Sequence, residues 1–238
     1  MRAAVVTAAL LLSACATGPN ANPRDPLEPF NRGVYSFNDA VDRAVVKPVA
    51  TAYRDALPSP VRTGVSNFFS NLQDLWSFVN NTLQLKGEGA GNSIVRFGVN
   101  TVFGLGGLLD VATEMRIERF PEDFGQTLGR WGVGAGPYVV LPLLGPSTLR
   151  DTAALPVDMS GNAVSQIDDT ATQNATTVLG LVSRRAQLLD ASKMLDEVAL
   201  DPYTFTRDAF LQRRLSLVYD GNPPIEHEMP LTNDNANP

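Results

Sequence analysis

The most apolar stretches of this 238-residue chain are too short to cross a bilayer, and glycine or proline breaks each of them. Ile94, Val95, Phe97, Val99, Val102, Phe103, Leu105, Leu108 and Leu109 crowd a segment whose only charge before Asp110 is Arg96, and Gly104, Gly106 and Gly107 interrupt it. Tyr138 to Leu144 is almost without polar side chains, is interrupted by Pro142 and is closed by Gly145-Pro146. A membrane span needs ~20 consecutive apolar residues, and a helix that is apolar nearly all round belongs in a core or a membrane. These segments must therefore be buried internally or lie in one leaflet. The second run fits a buried strand, a core turn or a segment that dips into a leaflet.

Between them, Pro121 suits a helix start, and Glu122 and Asp123 put negative charge at the positive end of the helix dipole. On that helix Phe124, Leu128 and Trp131 recur at i, i+4, i+7, while Gly125, Gly129 and Gly132 repeat the spacing about 100° away. Glycine costs ~1 kcal/mol per helical position relative to alanine. A face of it calls for close approach of a backbone or a ligand, the bland alternative being a loop with unrelated glycines. Arg130 and Arg150 flank the following apolar run; such side chains either snorkel to a lipid surface or pair with Asp123 and Asp151.

The first residues bear on the compartment. Met1-Arg2 is a minimal basic region, Ala3 to Leu12 is a short apolar run, and Leu12-Ser13-Ala14-Cys15 follows, which resembles a bacterial lipobox. Cys15 is the only cysteine, so no intrachain disulfide forms. Because Ala16 and not aspartate follows it, the resemblance implies export to the outer membrane. Acyl chains contribute ~0.8 kcal/mol per buried methylene, so a multiply acylated terminus is a stable anchor. Residues 1–14 are read as signal peptide, 15–24 as an acylated tether, 25–219 as one domain, and the polar, proline-bearing 220–238 as a disordered tail. A formal charge of −6 argues against nucleic acid as a partner and against a basic patch on anionic lipid.

Helical spacing predicts a first helix through Phe30, Val34, Phe37, Val41 and Val45, with Asn31 a plausible N-cap, stopped by Lys47-Pro48. A second helix follows from Pro58-Ser59-Pro60 through Leu83, its polar side carrying Asn67, Asn71, Asn80 and Asn81. That uncharged face suits a partly desolvated setting or a buried interhelical contact. Gly87 to Asn92 reads as a turn. One long helix is expected from about Thr172 to Val198, and a last one from Phe205 to Val218 with a basic patch at Arg207, Arg213 and Arg214. The lone histidine, His227, sits in the tail, so no Ser-His-Asp or Cys-His set can be assembled; there is no HExxH and no GxxxxGK[ST]. GLGGLL is not a dinucleotide fingerprint, because Leu109 fills its sixth position and no strand precedes it. An enzyme is not expected, nor a cofactor or metal.

DPLEPFNR (25–32), Phe37-Asn38 with Asp42, KPVA (47–50), NFFSNL (67–72), RFGVNTVFGLGGLLDVA (96–112), EDFGQTLGRWGVGAGPYVVLPLLGPSTLRD (122–151), RAQLLD (185–190) and DPY (201–203) together resemble the MlaA (VacJ) family of outer-membrane lipoproteins. One departure is Leu75, where the pattern calls for proline. The resemblance implies an all-α, ring-like arrangement of amphipathic and short membrane-embedded helices in the inner leaflet of the outer membrane, around a central amphipathic channel. It implies removal of misplaced phospholipid from the outer leaflet and its transfer to a soluble periplasmic carrier, MlaC, with trimeric porins as outer-membrane partners. Gly125, Gly129, Arg130, Trp131, Tyr138 and Arg150 are the candidates for the lipid path. A scaffolding lipoprotein without lipid transport, and a soluble carrier with an internal cavity, are the competing readings.

Mass spectrometry of the mature N-terminal peptide is expected to find Cys15 acylated, and Cys15→Ser to leave an uncleaved or soluble precursor. An unmodified cysteine or cleavage elsewhere would refute the lipobox reading.

Overall fold

The computed structural model describes residues 22–224, which form helices and one short hairpin. The expected signal peptide, Cys15, His227 and most of the expected tail lie outside the described residues. In order the elements are α1 (Glu28–Val41), a π-helical turn (Asp42–Val46), α2 (Lys47–Ala56), α3 (Ser59–Leu83), α4 (Gly87–Val102), α5 (Val111–Glu114), α6 (Phe124–Arg130), β1 (Tyr138–Leu141), β2 (Gly145–Thr148), α7 (Leu149–Gly161), a 3₁₀ turn (Ala163–Gln166), α8 (Thr170–Gln187), α9 (Leu189–Val198) and α10 (Pro202–Val218). The all-α expectation holds. Among the described residues no helix is long and apolar enough to cross a membrane.

Several boundaries depart from the sequence reading, each for an identifiable reason. Lys47-Pro48 does not stop the first helix. A π-helical turn carries it into α2, with the Lys47 N–H bonding back to Asp42 C=O, and this locally widened turn is where Pro48, which lacks an N–H, is admitted to the helical run. Gly87 to Asn92 is helical, because Gly89 lets α4 lie against α3; a Cβ there would sit 2.1 Å from Asn81 Oδ1. The long C-terminal helix is broken at Leu188 into α8 and α9. Arg185 braces this junction, donating to both carboxylate oxygens of Asp42 at 2.8 Å and to Ser192 Oγ at 3.1 Å. The helix start expected at Pro121 falls at Phe124, since Asp123 caps it through the Gln126 N–H. α3 runs unbroken through Leu75.

Asn31 is not a cap. It is fully buried inside α1 and completes the edge of β1: its Nδ2 donates to Tyr138 C=O at 3.0 Å and to Asp25 Oδ1 at 2.8 Å, and its Oδ1 accepts from Val140 N–H at 2.9 Å. Asn38, seven residues on and on the same helix face, does likewise, donating to Leu141 C=O and accepting from Leu143 N–H. A strand of four residues paired with a single neighbour, β2, is thus held on its second edge by two side-chain amides. Asp25 also accepts from Tyr203 Oη at 2.5 Å and Arg207 Nη1 at 3.3 Å. Three separate sequence motifs, around Asp25–Arg32, Tyr138–Thr148 and Asp201–Tyr203, therefore meet at one buried junction.

From there the contacts close into a circuit. β1 packs on α1, α1 leads through the π turn to α2, α2 lies on α8, α8 on α3, α3 on α6, α6 on α10 and α10 on β2. The link from α6 through α7 to α10 is ionic: Arg214 on α10 donates to both oxygens of Asp123 at 2.5 and 2.6 Å and to both of Asp151 at 2.7 and 3.1 Å. Arg207 and Arg214, read from the sequence as part of a basic patch, are instead buried or nearly so and paired to carboxylates.

Polarity runs opposite to that of a water-soluble domain. The fully buried set includes Asn71, Asp74, Ser77, Asn80 and Asn81 of α3, Arg96 and Asn100 of α4, and Gln126 and Thr127 of α6. Large apolar side chains face outward, among them Val102 at 71%, Phe103 at 70%, Leu105 at 71% and Leu143 at 68% exposure. Leu85, Leu105 and Leu143 also carry positive φ, a conformation that disfavours any residue with a Cβ. Turns of this kind in water are ordinarily given to glycine or asparagine.

Gly125→Ala is expected to destabilise the fold by about 1–3 kcal/mol, because the new Cβ would lie 2.5 Å from both Arg214 Nη2 and Asp151 Oδ1, atoms locked in the ionic link. Gly33→Ala on α1, with nothing within 4 Å, should be neutral or stabilising. Thermal unfolding of both variants in detergent checks the pair, and equal effects would refute the packing argument.

Candidate functional site

The glycine face on α6 is built for close approach, but to charged side chains. Gly125 admits the Arg214 cluster, and a Cβ on Gly129 would sit 2.6 Å from Arg150 Nη1 and 3.0 Å from Val218. After Arg130 the helix ends, and residues 132–137 run as an irregular segment toward β1. Thr148 caps α7 through the Asp151 N–H, which sets Arg150 and Asp151 in the first turn of that helix. Arg150 consequently points back under the glycine face, its side chain 5% exposed, with Nε donating to Asp151 Oδ1 at 3.0 Å and Nη1 to Val133 C=O at 3.4 Å.

These elements enclose a cavity of about 540 Å³. One wall is the segment from Gly132 to Gly136; the opposite wall is Leu211, Leu215 and Val218 of α10; Arg24, Arg150 and Arg214, together with Asp208, Thr148, Gln212 and Tyr219, contribute the polar lining. The cavity is amphipathic, with an apolar helix stripe facing bare backbone and guanidinium groups. Burial, the largest influence on Asp123, works to raise its carboxyl, but the hydrogen bonds and charge of Arg214 outweigh it and hold the group below the ordinary carboxylate value. Burial likewise opposes the charge on Arg214, and Asp123 and Asp151 more than reverse that, so the guanidinium stays protonated at any accessible pH.

The sequence candidates divide around this cavity. Gly129 and Arg150 line it, and Gly125 lies behind it, making room for Arg214. Arg130 is exposed and makes no ion pair among the described residues. Trp131 is 55% exposed, packs edge-on against Phe124 and donates its Nε1–H to Leu83 C=O at 3.2 Å. Tyr138 lies fully buried in the junction, packed against Tyr203 and Phe210, with its hydroxyl unpartnered and its phenol pushed well up by burial. Sequence reasoning missed the α10 side of the cavity. The i, i+4, i+7 spacing of Leu211, Leu215 and Val218 was available as a signal, but Arg214 between them read as a surface charge.

A second polar system links α3, α4 and α6. Arg96 Nη2 donates to both oxygens of Asp110 at 2.8 and 3.0 Å, Arg119 donates to Asp74 at 3.0 Å, and Asn100 accepts the Ala112 N–H at 2.8 Å. Gln84 donates to Glu122 and Thr127, whose hydroxyl donates to Asn80, while Lys86 pairs with Glu122 at 2.8 Å. Burial raises the carboxyls of Asp74 and Glu122 despite these cationic neighbours. Buried side-chain oxygens of Asn71, Asn81, Gln84 and Gln126 have no hydrogen-bond partner. The fully buried side chains of α3 are all polar.

The family model described as MlaA lipoprotein matches residues 23–216. An intermembrane phospholipid transport system lipoprotein MlaA from Escherichia coli (strain K12) is 40% identical over 209 residues, covering 86% of this chain and 82% of the relative, and its counterpart from Shigella flexneri matches equally. The counterpart from Haemophilus influenzae is 34% identical over 223 residues, covering 90% and 88%. A solved structure reported on the structural basis for maintenance of bacterial outer membrane lipid asymmetry superposes with a TM-score of 0.72 at 39% identity, covering 83% of this chain and 99% of its own. A match spanning the helical body and its buried junction means that the chain belongs to the MlaA lipoprotein family.

Proposed function

We propose that this chain is an outer-membrane lipoprotein that removes misplaced phospholipid from the outer leaflet and passes it to a periplasmic carrier, maintaining lipid asymmetry. The observation that carries the reading is the inverted polarity: amide, hydroxyl and charged side chains fill the interior along α3, α4 and α6 while leucine, valine and phenylalanine face outward. Such a body is stable where its surroundings are apolar, and its hydrophilic interior offers a head group a route that hydrocarbon denies it. Family membership supports the same reading, since the relatives named above are phospholipid transport lipoproteins.

The physical need is plain. A two-chain lipid carries roughly 30 methylenes, so moving it through water at ~0.8 kcal/mol each costs ~24 kcal/mol, a barrier crossed on the order of once a day. A protein without an energy source still accelerates this by keeping the head group solvated by polar side chains and the tails against apolar surface. In this reading residues 15–24 tether the domain by the acylated Cys15, the domain lies in the inner leaflet on the periplasmic side, and it works beside a trimeric porin and an MlaC-like soluble carrier. The scaffolding alternative requires the porin but no lipid movement.

A version beginning after Cys15 is expected to partition to membranes or to need detergent, because exposed segments such as 102–109 and 143–144 are unsuited to water. Monodisperse behaviour in plain buffer would overturn the embedding. Deletion of the gene is expected to raise surface-exposed phospholipid, restored by the wild-type chain. Unchanged asymmetry on deletion would favour the scaffold.

A further inference from the structure

The cavity between the Gly132–Gly136 segment and α10 is lined by donors that the fold leaves unused. The N–H groups of Gly134, Ala135 and Gly136 donate to no acceptor among the described residues. Arg150, nine-tenths buried, spends Nε on Asp151 and Nη1 on Val133 C=O, and its Nη2 has no acceptor among the described residues. Arg214 donates through all three of its nitrogens to Asp123 and Asp151 and serves to hold Asp151, which in turn orients Arg150. Unsatisfied donors of this kind in a half-enclosed space are costly unless a ligand or water accepts from them. The facing wall is Leu211, Leu215 and Val218.

The geometry points to a binding site for the phosphodiester of a glycerophospholipid, with Arg150 and the 134–136 backbone on the phosphate oxygens and the glycerol ester region against Leu211, Leu215 and Val218. This rests on the transport reading and gives it a named head-group station. Arg150 and Arg214 are balanced by Asp123 and Asp151, and the lining adds one further cation, Arg24, and one carboxylate, Asp208, so the site holds an anion by hydrogen bonds and not by surplus charge. That favours a singly charged diester over inorganic phosphate, whose second charge would go uncompensated and whose surface leaves the apolar wall bare. A volume of about 540 Å³ suits a head group and its first ester carbons, not two full acyl chains, which must continue over the outward-facing apolar surface.

The test uses the full lipoprotein in a phosphate-free maltoside detergent and calorimetry with four probes: dihexanoylphosphatidylglycerol, glycerophosphoglycerol, inorganic phosphate and dihexanoylglycerol. The expected result is that the phospholipid binds most tightly, that glycerophosphoglycerol follows, and that dihexanoylglycerol and inorganic phosphate are weak. Arg150→Gln should weaken phospholipid binding about tenfold or more, the loss of a charge-assisted hydrogen bond. Because Arg150 also packs under Gly129, Gln212→Glu is the companion variant. Gln212 lines the cavity, is exposed and makes no hydrogen bond among the described residues, so the added carboxylate should weaken the phospholipid without disturbing the fold. Dihexanoylglycerol binding as well as the phospholipid, inorganic phosphate binding as tightly as the phospholipid, or indifference to Gln212→Glu would each overturn the assignment. If the phospholipid fails to bind while the wild-type gene still restores asymmetry in cells, this site is refuted and the transport reading stands; if the wild-type gene does not restore asymmetry, it is the transport reading that fails.

Discussion

A buried polar group must find a partner, and in this protein that requirement reaches nearly every helix. A lone unsatisfied amide costs ~1–3 kcal/mol, so a body whose interior is asparagine, glutamine, serine and arginine depends on partners supplied in register for most of those groups, a few oxygens of Asn71, Asn81, Gln84 and Gln126 excepted. Asn31 and Asn38 supply β1; Asn100 supplies Ala112; Thr127 and Gln84 join α3 to α6; Arg214 joins α6, α7 and α10. Apolar packing is confined to small clusters, one around Ala50, Ala186 and Leu189 and another around Tyr138, Val140 and Tyr203. Hydrogen bonds and ion pairs, which are directional, set the helix arrangement where a soluble domain would rely on a hydrocarbon core.

That arrangement has a functional logic. Under the proposed function, an apolar interior would make a lipid-embedded helical body a plug, whereas a hydrophilic one would give a charged head group somewhere to be while the exterior stays miscible with acyl chains. The glycine face answers a packing requirement. Gly125 and Gly129 exist because two guanidinium groups, Arg214 and Arg150, must lie against the helix backbone, and a methyl at either position would displace them. Leu85, Leu105 and Leu143, exposed at positive φ, accept a backbone conformation better suited to glycine, a cost that the apolar surroundings of the proposed function would offset.

Much of this was legible before the structure. The 3.6-residue periodicity located α1, α3, α8 and α10, the failure of any apolar run to reach ~20 residues excluded a spanning helix among them, and the glycine spacing on α6 correctly demanded close approach. What misled was the assumption that charge means surface. Arg214 read as part of a basic patch because its carboxylate partners, Asp123 and Asp151, lie 60 or more residues away, and Arg207 because Asp25, which meets it in the buried junction, is still more distant, although the adjacent Asp208 also pairs with it. Asn31 read as a cap for the same reason, since its partners belong to β1, about a hundred residues on.

By itself the sequence determined the helical class, the short apolar segments and the family, because periodicity, segment length and motif order are local properties of the chain. Only the tertiary structure decided which face of each amphipathic helix points inward. An amphipathic helix has the same spacing whether water or lipid surrounds it, so the burial of Asn71, Asp74, Asn80 and Asn81 and the exposure of Val102, Phe103 and Leu105 follow from long-range hydrogen bonds and ion pairs. The cavity under the glycine face was likewise beyond sequence reading, because α10 brings its leucine stripe to residues 132–136 across some 80 intervening positions.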